Sequence, residues 1–275
     1  PRAEVADTVL RRTPDTLLSR SAWIDGLGLA VKTATVFPGN RAAGKPTVNG
    51  SVSLYSDIDG TLEALVDFHL VTKWKTAGDS LLGARMLARP DSSTILIVGS
   101  GTVGRSMREA YGALFPDARF VVWNRTPRSA ELLAETYAGT SVTDDLAAAV
   151  SRADIITCAT MSTEPIIEGD WLRPGQHVDL IGAYRPDMRE ADDEALLRSS
   201  IFVDSRDTTI EHIGELRDPI ERGIIGPTDV VADFYDIELG FQRTSDDEIT
   251  LFKNGGGAHL DLMVASHILE RWRSR

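Results

Sequence analysis

Apolar and polar residues follow two different rhythms along this chain. From Ser92 onward, short apolar runs alternate with stretches in which apolar residues recur every three or four positions. The first rhythm is typical of buried strands and the second of amphipathic helices. Strands are predicted at Thr94–Val98, Arg119–Trp123, Ala153–Thr160, His177–Ala183 and Ser200–Ser205, and helices at Val103–Phe115, after Pro127 and at Asp144–Ser151. This alternation predicts an α/β fold, with helices on both faces of a parallel sheet.

The first 89 residues follow another pattern, in which short extended pieces alternate with turns. A β-meander is predicted around the turn Asp57–Gly60, and a helix is predicted at Thr76–Leu87, before a break at Pro90. A last amphipathic helix, Ala258–Trp272, follows the parallel sheet. We expect this helix to pack on the N-terminal part of the chain.

Composition narrows the class of protein. The chain has 275 residues, a formal net charge of −12 and one cysteine, Cys158. The negative charge argues against a general nucleic-acid binder, since phosphates would not be neutralised over a broad face. No apolar run reaches the roughly 18 residues of a membrane helix, and no signal peptide is visible. One cysteine excludes an internal disulfide, and the five scattered histidines suggest no metal site. We predict a cytoplasmic protein without a metal or a membrane anchor.

A glycine-rich turn follows the strand Thr94–Val98. Its glycines fit the pattern GxGxxG, directly after a strand and directly before a helix. This pattern lets a dinucleotide pyrophosphate approach the backbone at a helix N-terminus. The alternative is a turn with only a structural role. The predicted cofactor residues of this turn are Gly99, Ser100, Gly101, Thr102, Val103 and Gly104.

The end of the next strand bears on the choice of dinucleotide. NAD sites usually have an acidic residue there, which binds the ribose 2′-hydroxyl. Here the strand ends in Asn124, Arg125 and Thr126, without an acid. The Arg125 guanidinium can pair with a 2′-phosphate, and the other two side chains can add hydrogen bonds. We therefore predict that NADP(H) is preferred, with NAD(H) and a solvated arginine as alternatives.

Several segments together resemble the ornithine cyclodeaminase/mu-crystallin family, and they occur in the order found in that family. VVWNRT is similar to the NADPH-using mu-crystallin branch in particular. The segments are VKTATVFPGN (31–40), GKPTVNGSVSL (44–54), VTKWKTAGDSLLGARMLAR (71–89), the glycine turn, IITCATMSTEPII (155–167) and ITLFKNGGGAHLD (249–261).

The resemblance implies a Rossmann-type, doubly wound parallel sheet inserted into a smaller α+β domain. The Rossmann domain would span residues 89–249, and the substrate and dimerisation domain residues 1–88 plus 250–275. Family members use NAD(P) on small α-amino or α-imino acids, and most are homodimers. The resemblance also extends the cofactor site to Ala159, Thr160, Met161, Asn254 and Gly255.

The resemblance implies that particular cationic side chains bind the substrate carboxylate. Lys32 matches the family lysine near the substrate, and Arg2 is a candidate for a family arginine after an early proline. The family motif RTAA stands here as Lys75-Thr76-Ala77-Gly78, so lysine replaces the arginine fork. Lys32 and Lys75 are the predicted catalytic residues, and Thr76 is a further predicted substrate contact. For Lys32, the alternative is an ordinary surface lysine at a strand edge.

One departure separates two activities within the family. Ornithine cyclodeaminases have an aspartate that handles the substrate amine shortly before a P-x-x-x-E piece. Tyr184 stands at or beside that place, and we assign it to the substrate pocket. The sequence therefore predicts an NAD(P)H-dependent reductase of small cyclic or α-imino acids. An ornithine cyclodeaminase and a non-catalytic NADPH-binding protein remain as alternatives. Asp179 is predicted to be a hydrogen-bonded structural acid rather than an acid at the nicotinamide.

Overall fold

The structure is a computed structural model that describes residues 1–275. The chain folds into two compact units. The first unit comprises Pro1–Lys75 and Gly257–Arg275, and the second comprises Thr76–Gly256. None of the helices is long and apolar enough to cross a membrane.

The first unit contains a five-stranded antiparallel sheet, in which each strand pairs with the next one along the chain. Alternate residues of the central strand are buried, as expected of a sheet with one covered face. The C-terminal helix covers that face through Ala258, Leu262 and Ala265, so its predicted packing is confirmed. The elements are β1 Glu4–Arg12, β2 Asp15–Ile24, β3 Gly28–Val36, β4 Val48–Tyr55, β5 Leu62–Asp67 and the helix α8 Ala258–Arg273.

The second unit contains an eight-stranded parallel sheet, which confirms the predicted α/β class. The strands are β6 Thr94–Val98, β7 Arg119–Trp123, β8 Thr140–Val142, β9 Ile155–Cys158, β10 His177–Leu180, β11 Ser200–Val203, β12 Val230–Ala232 and β13 Thr250–Lys253. Their order in the sheet is β12-β11-β13-β10-β9-β6-β7-β8. The helices are α2 Thr102–Leu114, α3 Pro127–Thr136, α4 Leu146–Arg152, α5 Asp193–Leu197, α6 Arg206–Thr209 and α7 Gly214–Glu221.

The helix α1, Phe68–Leu87, begins eight residues before the predicted start at Thr76. Its first turns belong to the first unit and the rest, from Thr76, belongs to the second. The boundary between the units therefore lies inside this helix and not after residue 88. Strand β13 was not predicted, and it lies inside the parallel sheet between β11 and β10. The second unit therefore begins earlier and ends later than the Rossmann segment 89–249 inferred from the resemblance.

Candidate functional site

Five neighbouring strands of the second unit end at one edge of the sheet. Val98 of β6 pairs in register with Trp123 of β7 and with Cys158 of β9. Leu180 of β10 pairs in register with Cys158 and with Lys253 of β13. The parallel register therefore brings together the segments that follow these strands. These segments contain all the predicted cofactor residues: Gly99–Gly104, Asn124–Thr126, Ala159–Met161 and Asn254–Gly255.

The three glycines of the turn after β6 meet three different requirements. Gly99 has a φ of +103°, and an added Cβ there would lie 2.8 Å from the Ala159 carbonyl oxygen. A Cβ on Gly104 would lie 1.9 Å from the Gly99 carbonyl oxygen, so helix and turn pack too closely for any side chain. Gly101 faces open space and precedes α2 without a side-chain cap. The Ser100 hydroxyl is buried and has no partner. An open helix N-terminus beside an unsatisfied hydroxyl fits a dinucleotide pyrophosphate.

The residues after β7 have separate roles. The Asn124 side chain accepts a hydrogen bond from the Ser100 backbone N–H at 3.2 Å and donates one to the Thr126 carbonyl at 3.0 Å. It therefore ties the glycine turn to the end of β7, which is a structural role that the sequence did not suggest. Arg125 is exposed and makes no hydrogen bond or ion pair. Its guanidinium is free to bind an anion.

Glu190 holds the segments after β9 and β10 together. Its buried carboxylate accepts hydrogen bonds from the Thr160 N–H and hydroxyl at 2.7 and 2.9 Å. The Gly182 and Ala183 N–H groups donate to its other oxygen at 2.6 and 3.3 Å. Both donor groups of Thr160 are thus bound to Glu190, whereas the next residue, Met161, is 78% exposed. Sequence analysis missed this role, and its only signal was the Glu that ends the P-x-x-x-E piece.

A second buried glutamate supports Glu190. Glu215, in α7, accepts hydrogen bonds from the Glu190 and Ala191 N–H groups at 2.7 and 2.9 Å. Burial, reinforced by the negative charge of Glu190, raises the pKa of Glu215 to about 7. The Lys253 ammonium group lies nearby and donates to the Leu180 and Asn254 carbonyls at 2.9 and 2.7 Å. These three buried side chains fix the backbone at the carboxyl edge of the sheet.

Asp179 is fully buried on β10 and is hydrogen-bonded only by hydroxyl groups. Ser80, Tyr111 and Thr157 each donate to its carboxylate at 2.9 Å. Burial raises its pKa to about 6, although these hydrogen bonds oppose the change. These contacts agree with the predicted hydrogen-bonded acid.

Asn254 also makes bonds within the second unit. Its amide donates to the Thr76 carbonyl at 3.2 Å and to the Ser80 hydroxyl at 3.1 Å, and so attaches β13 to α1. A Cβ on the next residue, Gly255, would lie 2.6 Å from the Thr209 side chain. Both residues therefore have structural roles inside the second unit.

The predicted catalytic lysines lie in the first unit. Lys32, on β3, is 6% exposed, and Lys75, on α1, is 7% exposed, so neither is an ordinary surface lysine. The Lys32 ammonium group forms an ion pair of 2.8 Å with Asp261 of α8. Burial lowers the pKa of Lys32 to about 8, and the charge of Lys75 acts in the same direction, while Asp261 opposes both. Two buried cations therefore lie close enough to repel each other, and such a pair favours an anion beside it.

The remaining predicted substrate residues are more exposed. Arg2 lies at the exposed start of the first unit, before β1. Tyr184 is 58% exposed and lies after β10, with its ring 5.6 Å from the Arg185 guanidinium carbon. No acidic side chain stands at Tyr184 itself, and the neighbouring Asp187 is bound by the Arg185 guanidinium.

Comparisons with known proteins agree with this arrangement. A sequence model of the ornithine cyclodeaminase/mu-crystallin family matches residues 21–275. Delta(1)-pyrroline-2-carboxylate reductase from Paracoccus denitrificans is 53% identical, over 98% of this chain and 87% of the relative. Ketimine reductase mu-crystallin from Mus musculus is 32% identical, over 90% of this chain and 77% of the relative.

A solved structure is similar along nearly the whole chain. It is that of Thermococcus litoralis Delta(1)-pyrroline-2-carboxylate reductase in complex with NADH and L-proline. The TM-score is 0.86 at 25% identity, and the alignment covers 98% of this chain and 88% of that one.

Proposed function

The chain belongs to the ornithine cyclodeaminase/mu-crystallin family, as its sequence motifs indicated, and we propose that it reduces small cyclic or α-imino acids with a nicotinamide dinucleotide. The observation that carries this proposal is the buried pair Lys32 and Lys75, with the Asp261 carboxylate bound to the first of them. A buried pair of cations favours a small carboxylate. The names of the reductase relatives support the same class of substrate.

The chain's own groups bind and orient the reactants. The turn Gly99–Gly104 and the N-terminus of α2 hold the pyrophosphate, and the lysines hold the substrate carboxylate. The bound dinucleotide supplies a hydride for the imine carbon next to that carboxylate. Burial strengthens the attraction between the lysines and the carboxylate because little water screens it. Positioning and charge complementarity are thus the protein's main contributions to the reaction.

NADPH is the proposed dinucleotide. Arg125 follows β7, is exposed and has no partner, so its guanidinium can bind a 2′-phosphate without losing another contact. The residues beside it, Asn124 and Thr126, are neutral, and no carboxylate stands there to repel that phosphate.

Cyclodeamination of ornithine is the rival activity. Tyr184 stands at or beside the place where the resemblance puts the family's amine-handling aspartate, and its side chain offers no carboxylate for an ammonium group. We therefore propose that ornithine is not converted to proline and ammonia at a useful rate.

A direct assay tests the proposal. Pyrroline-2-carboxylate should drive NADPH oxidation and yield proline, while ornithine with catalytic NAD should release no ammonia. Ammonia release from ornithine would overturn the reductase assignment. Tight NADPH binding without turnover of any cyclic imine or of α-keto acid and amine mixtures would instead favour a non-catalytic NADPH-binding protein.

We also propose that the protein is a homodimer that assembles through its first unit. Strand β1 is exposed at every position and pairs with β2 alone. Val5, Val9 and Leu10 expose 42 to 62% of their surface, and exposed apolar side chains on an exposed edge strand are typical of an interaction surface. Sedimentation at micromolar concentration should give a dimer, and a monomer would contradict the proposal. A cytoplasmic location stays a prediction, which cell fractionation would test.

A further inference from the structure

The ion pair between Lys32 and Asp261 is incomplete on its acidic side. Lys32 donates to Asp261 Oδ1 at 2.8 Å, whereas Asp261 Oδ2 is buried and has no hydrogen-bond partner. The Asp261 side chain is 1% exposed. A buried carboxylate oxygen without a donor carries a desolvation cost that a hydrogen bond would remove. The first unit thus holds a buried cation and, directly beside it, an acceptor that lacks a donor.

Charged and aromatic side chains surround the Lys32 ammonium group. Lys75 and Arg20 are further cations whose charges act on Lys32, and the Phe68 ring centroid lies 4.8 Å from its ammonium nitrogen. Burial and the two cations lower the pKa of Lys32, and Asp261 raises it, so that it stays at about 8. Lys32 is therefore mainly protonated at neutral pH, and its ammonium group stays a charged partner for an anion.

We propose that Lys32 and Asp261 together bind the zwitterionic form of the substrate. The substrate carboxylate pairs with Lys32, and the N–H of the protonated imine, or of the amine product, donates to Asp261 Oδ2. This inference rests on the proposed function and specifies its substrate class as imino and amino acids that carry a positive N–H next to the carboxylate.

The arrangement gives the chain an acid for the substrate nitrogen. Asp261 lies directly beside Lys32, the proposed partner of the substrate carboxylate, and so close to where the substrate nitrogen would lie. A carboxylate next to the nitrogen stabilises the protonated imine, whose carbon accepts a hydride more readily than that of a neutral imine. Asp261 then acts as a catalytic residue, because its carboxylate contacts the C=N–H group that is reduced.

Binding to the NADPH-loaded protein tests this assignment without turnover. L-Proline and (S)-tetrahydrofuran-2-carboxylate have the same ring and carboxylate, but only proline has a positive N–H. Neither can accept a hydride from NADPH. Titration calorimetry at neutral pH should give proline about ten- to a hundredfold tighter binding, the range of one charge-assisted hydrogen bond. Equal affinities of the unaltered protein for the two ligands would overturn the proposal, even if no variant folds.

Three variants locate the effect. Asp261→Asn keeps the shape of the side chain and should remove most of the preference for proline. Lys32→Met should weaken both ligands, because it removes the partner of the shared carboxylate. Asp179→Asn changes an equally buried acid that hydroxyl groups satisfy, and the preference should persist. A full preference for proline in the Asp261→Asn protein would also overturn the proposal.

The outcomes separate this inference from the proposed function. Equal affinities of the unaltered protein for proline and its oxygen analogue, together with rapid imine reduction, would reject the role of Asp261 and leave the reductase assignment intact. A retained, Asp261-dependent preference without NADPH oxidation by any imine would reject the reductase and would support the binding assignment.

Discussion

The two units bury carboxylates in opposite ways. In the second unit, Asp179, Glu190 and Glu215 accept hydrogen bonds from hydroxyl or backbone N–H groups. In the first unit, Asp261 binds one ammonium group and leaves its second oxygen without a partner. Of these, Glu190 and Glu215 fix the backbone at the carboxyl edge of the parallel sheet, whereas Asp179 binds side-chain hydroxyl groups. The unsatisfied ion pair still offers an acceptor to a ligand, and this contrast is why we propose substrate binding in the first unit and cofactor binding in the second.

The largest effect should come from the first unit. Lys32→Ala removes the proposed partner of the substrate carboxylate and leaves Asp261 buried without a counter-ion. Truncating one member of a buried charge pair costs several kcal/mol, so kcat/KM for pyrroline-2-carboxylate should fall about 30- to 1000-fold. The Kd for NADPH, measured by fluorescence titration, should stay unchanged. An equal loss in NADPH affinity would break the division between the units.

Arg125→Ala tests the second unit, where the expected effect is on cofactor binding. The loss of one charge-assisted contact to a 2′-phosphate should weaken NADPH binding about ten- to a hundredfold and leave NADH binding unchanged. Arg128→Ala is the matched control, because Arg128 is a nearby exposed arginine that already pairs with Glu131 and Glu135. Equal affinities of the unaltered protein for NADPH and NADH would refute the proposed preference.

Glu190→Gln tests whether the hydrogen-bonded acids support the cofactor site. The amide can accept fewer of the four hydrogen bonds that hold the segments after β9 and β10. Since an added Cβ on Gly99 would lie within 3.3 Å of Thr160, movement there should reach the glycine turn. NADPH affinity should fall about tenfold, on the scale of one or two lost hydrogen bonds. Asp179→Asn should lower the melting temperature without this loss, and an identical loss would show a general effect of destabilisation.

The smallest effect concerns pH and stability. Burial raises the pKa of Glu215 from 4.5 to about 7, so the folded chain keeps a proton that the unfolded chain has lost. Its contribution therefore lowers stability as the pH rises from about 4.5 to about 7, by on the order of 1 kcal/mol per pH unit. Glu215→Gln should make urea unfolding less dependent on pH in this window, with a residual slope from Asp179, whose pKa is about 6. An unchanged slope would mean that Glu215 stays ionised throughout.

Much of the second unit could be predicted because its signals are local. The strand Thr94–Val98 and the three glycines lie within eleven consecutive residues, and the structure reproduces that strand without a shift. Arg119–Trp123 and the N-terminal proline of α3 were predicted equally well. Apolar runs and turn residues act over a few positions, so they can be recognised in the sequence before any tertiary contact is known.

Two elements that the sequence did not predict correctly depend on contacts between residues far apart in the chain. Strand β13 has only four residues and is ordered by β10 and β11 on its two sides. The helix α1 starts at Phe68 because tertiary packing of Phe68 and Val71 outweighs the interrupted apolar pattern of HLVTKWK.

The sequence by itself determined the glycine turn, the missing acid after β7 and, through its motifs, the family. Only the tertiary structure decided what the buried charges do. Lys32 and Asp261 are 229 residues apart in the chain, and Glu190 and Glu215 are 25 residues apart. The energy of a buried charge depends on its partners and on its removal from water, and both are set by the fold rather than by neighbouring residues.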